Sequence, residues 1–286
     1  MRAVRDDHQD VGEYCSSSEE SGLDTRTAGS ASMTADNEKS EMNIGKQTLQ
    51  FDIGSVDEIV NKIVVADELT AWKTLITPNL HILRLMESDE ELQEIAASAD
   101  CLIPDGWPVA RWLSARSGRA VQRVAGSDVF DALLDRLVDG TNLTLVGGDS
   151  LESLDRLSAR AQSSGWDVSC EPAPRGEVDD QVRRASLIQR LSERGGVIAL
   201  GLGAPKQERL ASEISGASGG GWIMCVGMSL NFSAGSVQRA PDIARRLKSE
   251  WVYRALSEPS RLGPRYIADL IYFLTAYRRI TKGCHR

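Results

Sequence analysis

The sequence predicts an α/β protein built on a mostly parallel sheet with helices on both faces. Three observations predict it. Short apolar runs alternate with stretches of helical periodicity from Phe51 onward. Several runs end in glycine-rich turns. A hydrophobic content of 41% is enough for a substantial core. Strand–helix alternation of this length makes a parallel sheet the natural solution, because each crossover lays a helix on a face.

The strand-like runs are Trp72–Thr77, Cys101–Ile103, Asn142–Val146, Trp166–Cys170, Gly196–Leu200 and Trp222–Val226. Between them, Phe130, Leu133, Leu134 and Leu137 recur at helical spacing behind a candidate cap at Ser127. Leu151, Leu154 and Leu157 do the same behind Ser150. Pro205 suits the first turn of a helix reaching about Ser215. Ile267, Leu270, Ile271, Leu274 and Tyr277 form an apolar stripe near Arg265, Arg278 and Arg279. That pattern fits a basic amphipathic helix at a membrane surface, and equally a terminal helix packed on the core.

Charge divides the 286-residue chain. Residues 1–45 hold ten acids against four bases, and residues 251–286 hold seven bases against two acids. The first segment is poor in large apolar residues and is expected to be a disordered acidic tail, because it cannot bury enough surface to offset its ordering entropy. The expected organisation is this tail at 1–45, an α/β core at 50–245 and a basic, helical, membrane-proximal appendage at 246–286. The net charge of −8 argues against a nucleic-acid partner. The basic end suggests phosphate or lipid headgroups.

Cys15, Cys101, Cys170, Cys225 and Cys284 are scattered without Cys-x-x-Cys spacing. They read as buried free thiols in a reducing cytoplasm, not as disulfides or a metal site. No apolar run reaches about 18 residues and no signal core opens the chain, so a cytoplasmic, at most peripheral, location is expected.

Active sites of parallel sheets gather at the carboxyl ends of the strands. Three turns there are glycine-rich: Val146-Gly147-Gly148-Asp149, Gly201-Leu202-Gly203-Ala204-Pro205-Lys206-Gln207-Glu208, and Gly227 through Gly235, which includes Asn231. Backbone N–H groups can approach a phosphate in such turns. Lys206 stands where a dinucleotide fingerprint needs its third glycine, which argues against a nicotinamide enzyme. Thr77-Pro78-Asn79 offers a hydroxyl and an amide for sugar or phosphate oxygens, or a helix cap. Asp105 follows a strand and is placed for general-base work, although Asp-Gly is also a turn former. Arg123 precedes a helix start, where a guanidinium can hold a diphosphate or simply face solvent. The chain has no Asp-x-Asp, so a leaving diphosphate would be neutralised by cations and backbone amides, with Arg254, Arg261 and Arg265 as candidates. No metal site and no cofactor are expected. His81 reads as a structural histidine.

In this order, several pieces resemble the WecG/TagA/CpsF family (glycosyltransferase family 26), from about Phe51 to about Tyr277. They are Thr77-Pro78-Asn79, Asp105-Gly106-Trp107-Pro108, Arg123-Val124-Ala125-Gly126, Val146-Gly147-Gly148, Pro205-Lys206-Gln207-Glu208, Ala234-Gly235 with Arg239-Ala240-Pro241, and Glu250-Trp251-Val252-Tyr253-Arg254 with Glu258-Pro259-Ser260-Arg261 and Arg265-Tyr266. The resemblance implies an inverting, metal-independent transferase on a Rossmann-like core. It implies a UDP-sugar donor (N-acetylmannosamine type, its uronic acid, or glucose) and an undecaprenyl-diphosphate-linked saccharide acceptor. It makes Asp105 the general base and has Thr77, Asn79, Arg123 and Gln207 line the site. The arginine-bearing appendage would close over the donor diphosphate and meet the inner face of the membrane. Asn231 stands where the family usually has aspartate, and Pro172-Ala173-Pro174-Arg175-Gly176-Glu177 lacks the family's glycine-rich, aromatic turn. A homo-oligomer is an admissible state. Two other readings stay open: a non-catalytic nucleotide-sugar-binding protein at the membrane, and an NAD-dependent oxidoreductase.

Overall fold

The computed structural model describes residues 38–237 and 259–281, with side chains of the second segment described from Gly263 to Tyr277. It opens with an antiparallel hairpin, β1 (Glu38–Ile44) and β2 (Gln47–Ile53), turned at Gly45-Lys46. Gly45 has φ +56°, and a Cβ there would run into the Gln93 side chain, so the turn needs glycine. Gln93 Oε1 accepts the Lys46 N–H at 3.0 Å and pins the turn. Met42, Ile44, Leu49 and Phe51 alternate onto one face and are buried.

Residues 38–45 therefore correct the boundary of the expected tail. Only Met42 and Ile44 in that stretch are large and apolar, and they gain their core through pairing with β2, across the turn. The rest of the tail lies outside the described residues.

The central sheet has six parallel strands: β3 (Trp72–Ile76), β4 (Cys101–Leu102), β5 (Asn142–Gly147), β6 (Asp167–Glu171), β7 (Gly196–Gly201) and β8 (Gly221–Cys225). Their order is β4-β3-β8-β7-β5-β6. Alternate residues of each strand face opposite layers. Ile76, Leu102, Val146, Ile198, Leu200, Ile223 and Cys225 join one core. Leu75, Cys101, Leu143, Leu145, Val197, Ala199, Trp222 and Met224 join the other.

Helices cover both faces. The first layer holds α2 (Leu80–Met86), α3 (Glu90–Ala97), α4 (Trp107–Ser117), α8 (Gln181–Arg194) and α9 (Lys206–Ser215), which contribute Leu83, Leu92, Trp112, Leu187 and Leu210. The second holds α1 (Val56–Ile63), α5 (Gly126–Leu134) and α6 (Leu151–Ser163), through Ile59, Phe130 and Leu157. Two short helices complete the core, α7 (Arg175–Asp179) and α10 (Ser229–Ser233). Local chemistry sets the ends: Ser55 and Glu58 form a capping box on α1, and Ser150 caps α6. The α5 start differs from expectation, since Ala125, not Ser127, is its cap residue. Cys170 is exposed on the edge strand β6, unlike the buried Cys101 and Cys225.

A long helix, α11 (Pro259–Thr281), packs on the core. Phe273 stacks on Trp112 of α4 at 5.4 Å between centroids, and Tyr272 meets the same ring edge-on. Its Asp269 carboxylate is buried and bonds to Arg84 Nε at 2.7 Å. His81 Nδ1 lies 3.4 Å from Asp269, a structural place for this histidine. Burial works against ionisation of Asp269, but hydrogen bonds and charge from His81 and Arg84 outweigh it and hold the carboxyl below its ordinary range.

Candidate functional site

The chain leaves β5 toward β6 and leaves β7 toward β8, in opposite directions along the sheet. The connections beyond their paired carboxyl ends therefore part at this point, and the crevice between such connections is where parallel sheets bind ligands. The glycine-rich turns line it. Gly147 takes φ +90°, and a Cβ there would press on the Gly201 carbonyl at 3.1 Å. Asp149 follows on the same turn. Burial is the largest single influence and opposes its ionisation, yet hydrogen bonds from Ser236, Ser153 and backbone N–H groups together outweigh it and hold the carboxyl below the ordinary range. That contact brings the segment after α10 to the rim of β5, and Arg156 Nε reinforces it by donating to the Ala234 carbonyl at 2.9 Å.

A second rim forms at β3 and β4. The Thr77 hydroxyl is buried and donates to the Cys225 carbonyl at 3.1 Å. Asn79 caps α2, its Oδ1 accepting the Ile82 N–H at 3.2 Å, which leaves Nδ2 as a donor. The cap and ligand readings of Asn79 are thus compatible. The Asp105 N–H donates to the Pro78 carbonyl at 3.2 Å, and the Val124 N–H donates to the Pro104 carbonyl at 3.2 Å. Three loops, carrying Thr77-Pro78-Asn79, Asp105 and Arg123, are joined edge to edge by these bonds. Asp105 is half-buried and Arg123 is exposed. Asp105 also sits just before Gly106, which at φ +90° turns the chain into α4.

Gln207 lies between the two rims, on α9. It is buried, and both ends of its amide are engaged. Oε1 accepts the Gly203 N–H at 3.2 Å, and Nε2 donates to Glu208 Oε1 at 2.9 Å. In the described geometry Gln207 braces the loop at Gly203 before it can meet a ligand. Glu208 is also buried, a feature absent from the sequence reading; a charged residue in the helix's first turn ordinarily faces water. Asn231 is half-buried on α10, and Nδ2 approaches the Met228 sulfur at 3.6 Å. Arg265 lies 3.7 Å from Asp269 on α11. Arg254 and the side chain of Arg261 lie outside the described residues.

Among the described residues no cluster of three His, Cys, Asp or Glu has the arrangement of a metal site. The chain's relation to known proteins decides the class. The model of the glycosyl transferase WecG/TagA/CpsF family matches residues 46–284. The chain belongs to this family. Membership places it among the glycosyltransferases of cell-surface polysaccharide biosynthesis, which in general take a nucleotide-sugar donor and a lipid-linked acceptor. The match runs from the hairpin turn through α11, so both rims and the terminal helix fall inside it. No helix among the described residues is long and apolar enough to cross a membrane.

Proposed function

We propose that this WecG/TagA/CpsF member is an inverting, metal-independent transferase. It moves a sugar from UDP to a saccharide carried on undecaprenyl diphosphate, at the cytoplasmic face of the membrane. The supporting observation is the juncture of three loops at the β3–β4 rim, which sets a half-buried carboxylate, Asp105, beside the Thr77–Asn79 turn and the Arg123 loop.

The chemistry is a single displacement. Asp105 takes the proton of an acceptor hydroxyl as that oxygen attacks the anomeric carbon. The bond from that carbon to the diphosphate oxygen breaks, UDP departs from the opposite face, and configuration inverts. Negative charge grows on the diphosphate. Arg123, Arg254, Arg261 and Arg265 would balance it together with backbone N–H groups of the glycine turns. In the described geometry Arg265 approaches Asp269 at 3.7 Å, so its part in this step requires its side chain to turn from that partner. Asn79 Nδ2 and Asn231 supply hydrogen bonds to sugar or ribose hydroxyls. The donor sugar is of N-acetylmannosamine type, its uronic acid, or glucose.

The membrane reading rests on α11. Ile267, Leu270, Ile271 and Leu274 are 45–64% exposed on one side of the helix, while Asp269, Tyr272 and Ala276 face the core. An exposed aliphatic stripe near a basic terminus suits an anionic lipid surface.

Thermal stabilisation by UDP, a panel of UDP-sugars and NAD(H) tests the class. A ligand at 100 times its dissociation constant adds about 2.7 kcal/mol to the native state. Stabilisation by UDP and by one UDP-sugar is expected. A response to NAD(H) alone would replace this reading with an oxidoreductase.

A further inference from the structure

Glu208 occupies the third position of α9, after Pro205, Lys206 and Gln207. A glutamate there ordinarily reaches back to the N–H of the cap residue. The cap residue is Pro205, which has no N–H. The side chain turns inward instead and is fully buried. Its Oε1 accepts the Gln207 amide at 2.9 Å, and its Oε2 has no partner among the described residues. A buried carboxyl oxygen without a partner costs free energy, so capping does not explain why glutamate stands here.

The geometry around it does. Gln207 grips Gly203 twice: its N–H donates to the Gly203 carbonyl at 3.1 Å, and its Oε1 accepts the Gly203 N–H at 3.2 Å. An amide can be flipped end for end. Glu208 Oε1, as an acceptor, selects the orientation in which Nε2 faces it and Oε1 faces Gly203. We propose that Glu208 is a positioning residue that, through the Gln207 amide, fixes the Gly203 N–H at the mouth of the crevice between β5 and β7. The effect on ligand binding rests on the proposed UDP site; the effect on the loop does not.

The buried network continues toward the second rim. The Cys225 thiol approaches the Gln207 carbonyl at 3.7 Å, and the Cys225 carbonyl accepts the Thr77 hydroxyl. Burial raises the affinity of Glu208 for its proton, against the opposing pull of Gln207, its own backbone N–H and Arg209. The charged and titratable groups that reach it are Arg209 on its own helix, held by the α3 cap residue Asp89 and by Glu91 of α3, and the buried Cys225 thiol of β8. Glu208 Oε1 accepts from the Gln207 amide in either protonation state, so the selection of the amide's orientation rests on geometry. Ionisation of Glu208 would put an unscreened charge beneath that loop.

Two variants of the full chain test this by site-resolved hydrogen exchange at Gly203 and by UDP titration. Glu208→Gln keeps a neutral carbonyl acceptor and should keep Gly203 protection and UDP affinity near wild type. Glu208→Leu removes the acceptor and should lower Gly203 protection and UDP affinity by about tenfold, the scale of one lost hydrogen bond, while β5 amides stay protected. In the wild type, Gly203 protection should fall as pH rises, and in Glu208→Gln it should stay flat. Unaltered Gly203 protection in Glu208→Leu would overturn the proposal. If that variant fails to fold, Glu208→Met, which is closer in length and also lacks the acceptor, carries the same readout, and unaltered Gly203 protection in it would overturn the proposal. Failure of wild type to bind UDP would count against the donor reading alone, with Gly203 exchange still deciding the role of Glu208.

Discussion

The Thr77 hydroxyl donates to the Cys225 carbonyl across 3.1 Å, tying the carboxyl end of β3 to that of β8. Both groups are buried, and the Thr77 side chain also fills the space against Gly126, where an added Cβ would lie 2.9 Å from its methyl. This tie holds the Asp105 rim against β8, whose Cys225 thiol meets the Gln207 carbonyl.

Thr77→Val preserves shape and removes the donor. It leaves the Cys225 carbonyl without this buried partner and should cost about 1–3 kcal/mol. Chemical denaturation of both proteins measures the loss. Thr77→Ser, which restores the donor, should recover most of it.

The Asp269 carboxylate anchors α11 to α2 through Arg84 and His81. Its folded-state pKa is depressed, so its contribution is present above the ordinary aspartate value of 3.8 and is lost as pH falls through the lowered value. Asp269→Asn should destabilise the protein by about 2 kcal/mol at neutral pH, the scale of hydrogen bonds to a charged group. The deficit relative to wild type should shrink in acid. A deficit that stays constant from neutral pH to below 3 would contradict this anchor.

Glu208 has the opposite sign. Its folded-state pKa is raised above the ordinary glutamate value of 4.5, so its contribution is full below that value and is lost as pH rises through the raised one. Wild type should therefore lose stability relative to Glu208→Gln as pH increases. Paired melting curves across pH measure this, and parallel curves would contradict it.

Replacing Ile267, Leu270, Ile271 and Leu274 with serine removes the exposed stripe while sparing the buried side of α11. Folding stability should change little, as it does for surface substitutions. Binding to vesicles of phosphatidylglycerol and phosphatidylethanolamine should fall by about tenfold or more, since aliphatic burial drives such binding. Flotation of both proteins reads it directly.

The sequence made the sheet legible because each strand is a short apolar run ended by glycine or a polar turn. All six runs became strands with ends shifted by a residue or so. The hairpin was hidden because Met42 and Ile44 are isolated in a polar stretch and acquire their partners, Leu49 and Phe51, only through pairing. At the site, residue types could be read but not their engagements. Arg265 carries a guanidinium suited to a diphosphate, yet its neighbour Asp269 also binds Arg84, 185 positions away in the chain. In the sequence Glu208 stood only as the last residue of the Gly201–Glu208 turn and of the Pro205-Lys206-Gln207-Glu208 run, with no role of its own. Its burial follows from the packing of α9 against α3, β3 and β8, which no local pattern records.

The central claim is that Asp105 removes a proton from the acceptor as UDP leaves. Turnover of the UDP-sugar that stabilises the wild type, with an undecaprenyl-diphosphate-linked saccharide as acceptor, should be compared in wild type and Asp105→Asn alongside UDP affinity. UDP affinity should stay close to wild type and turnover should fall by about a hundredfold or more. Turnover retained within a few-fold of wild type would contradict it.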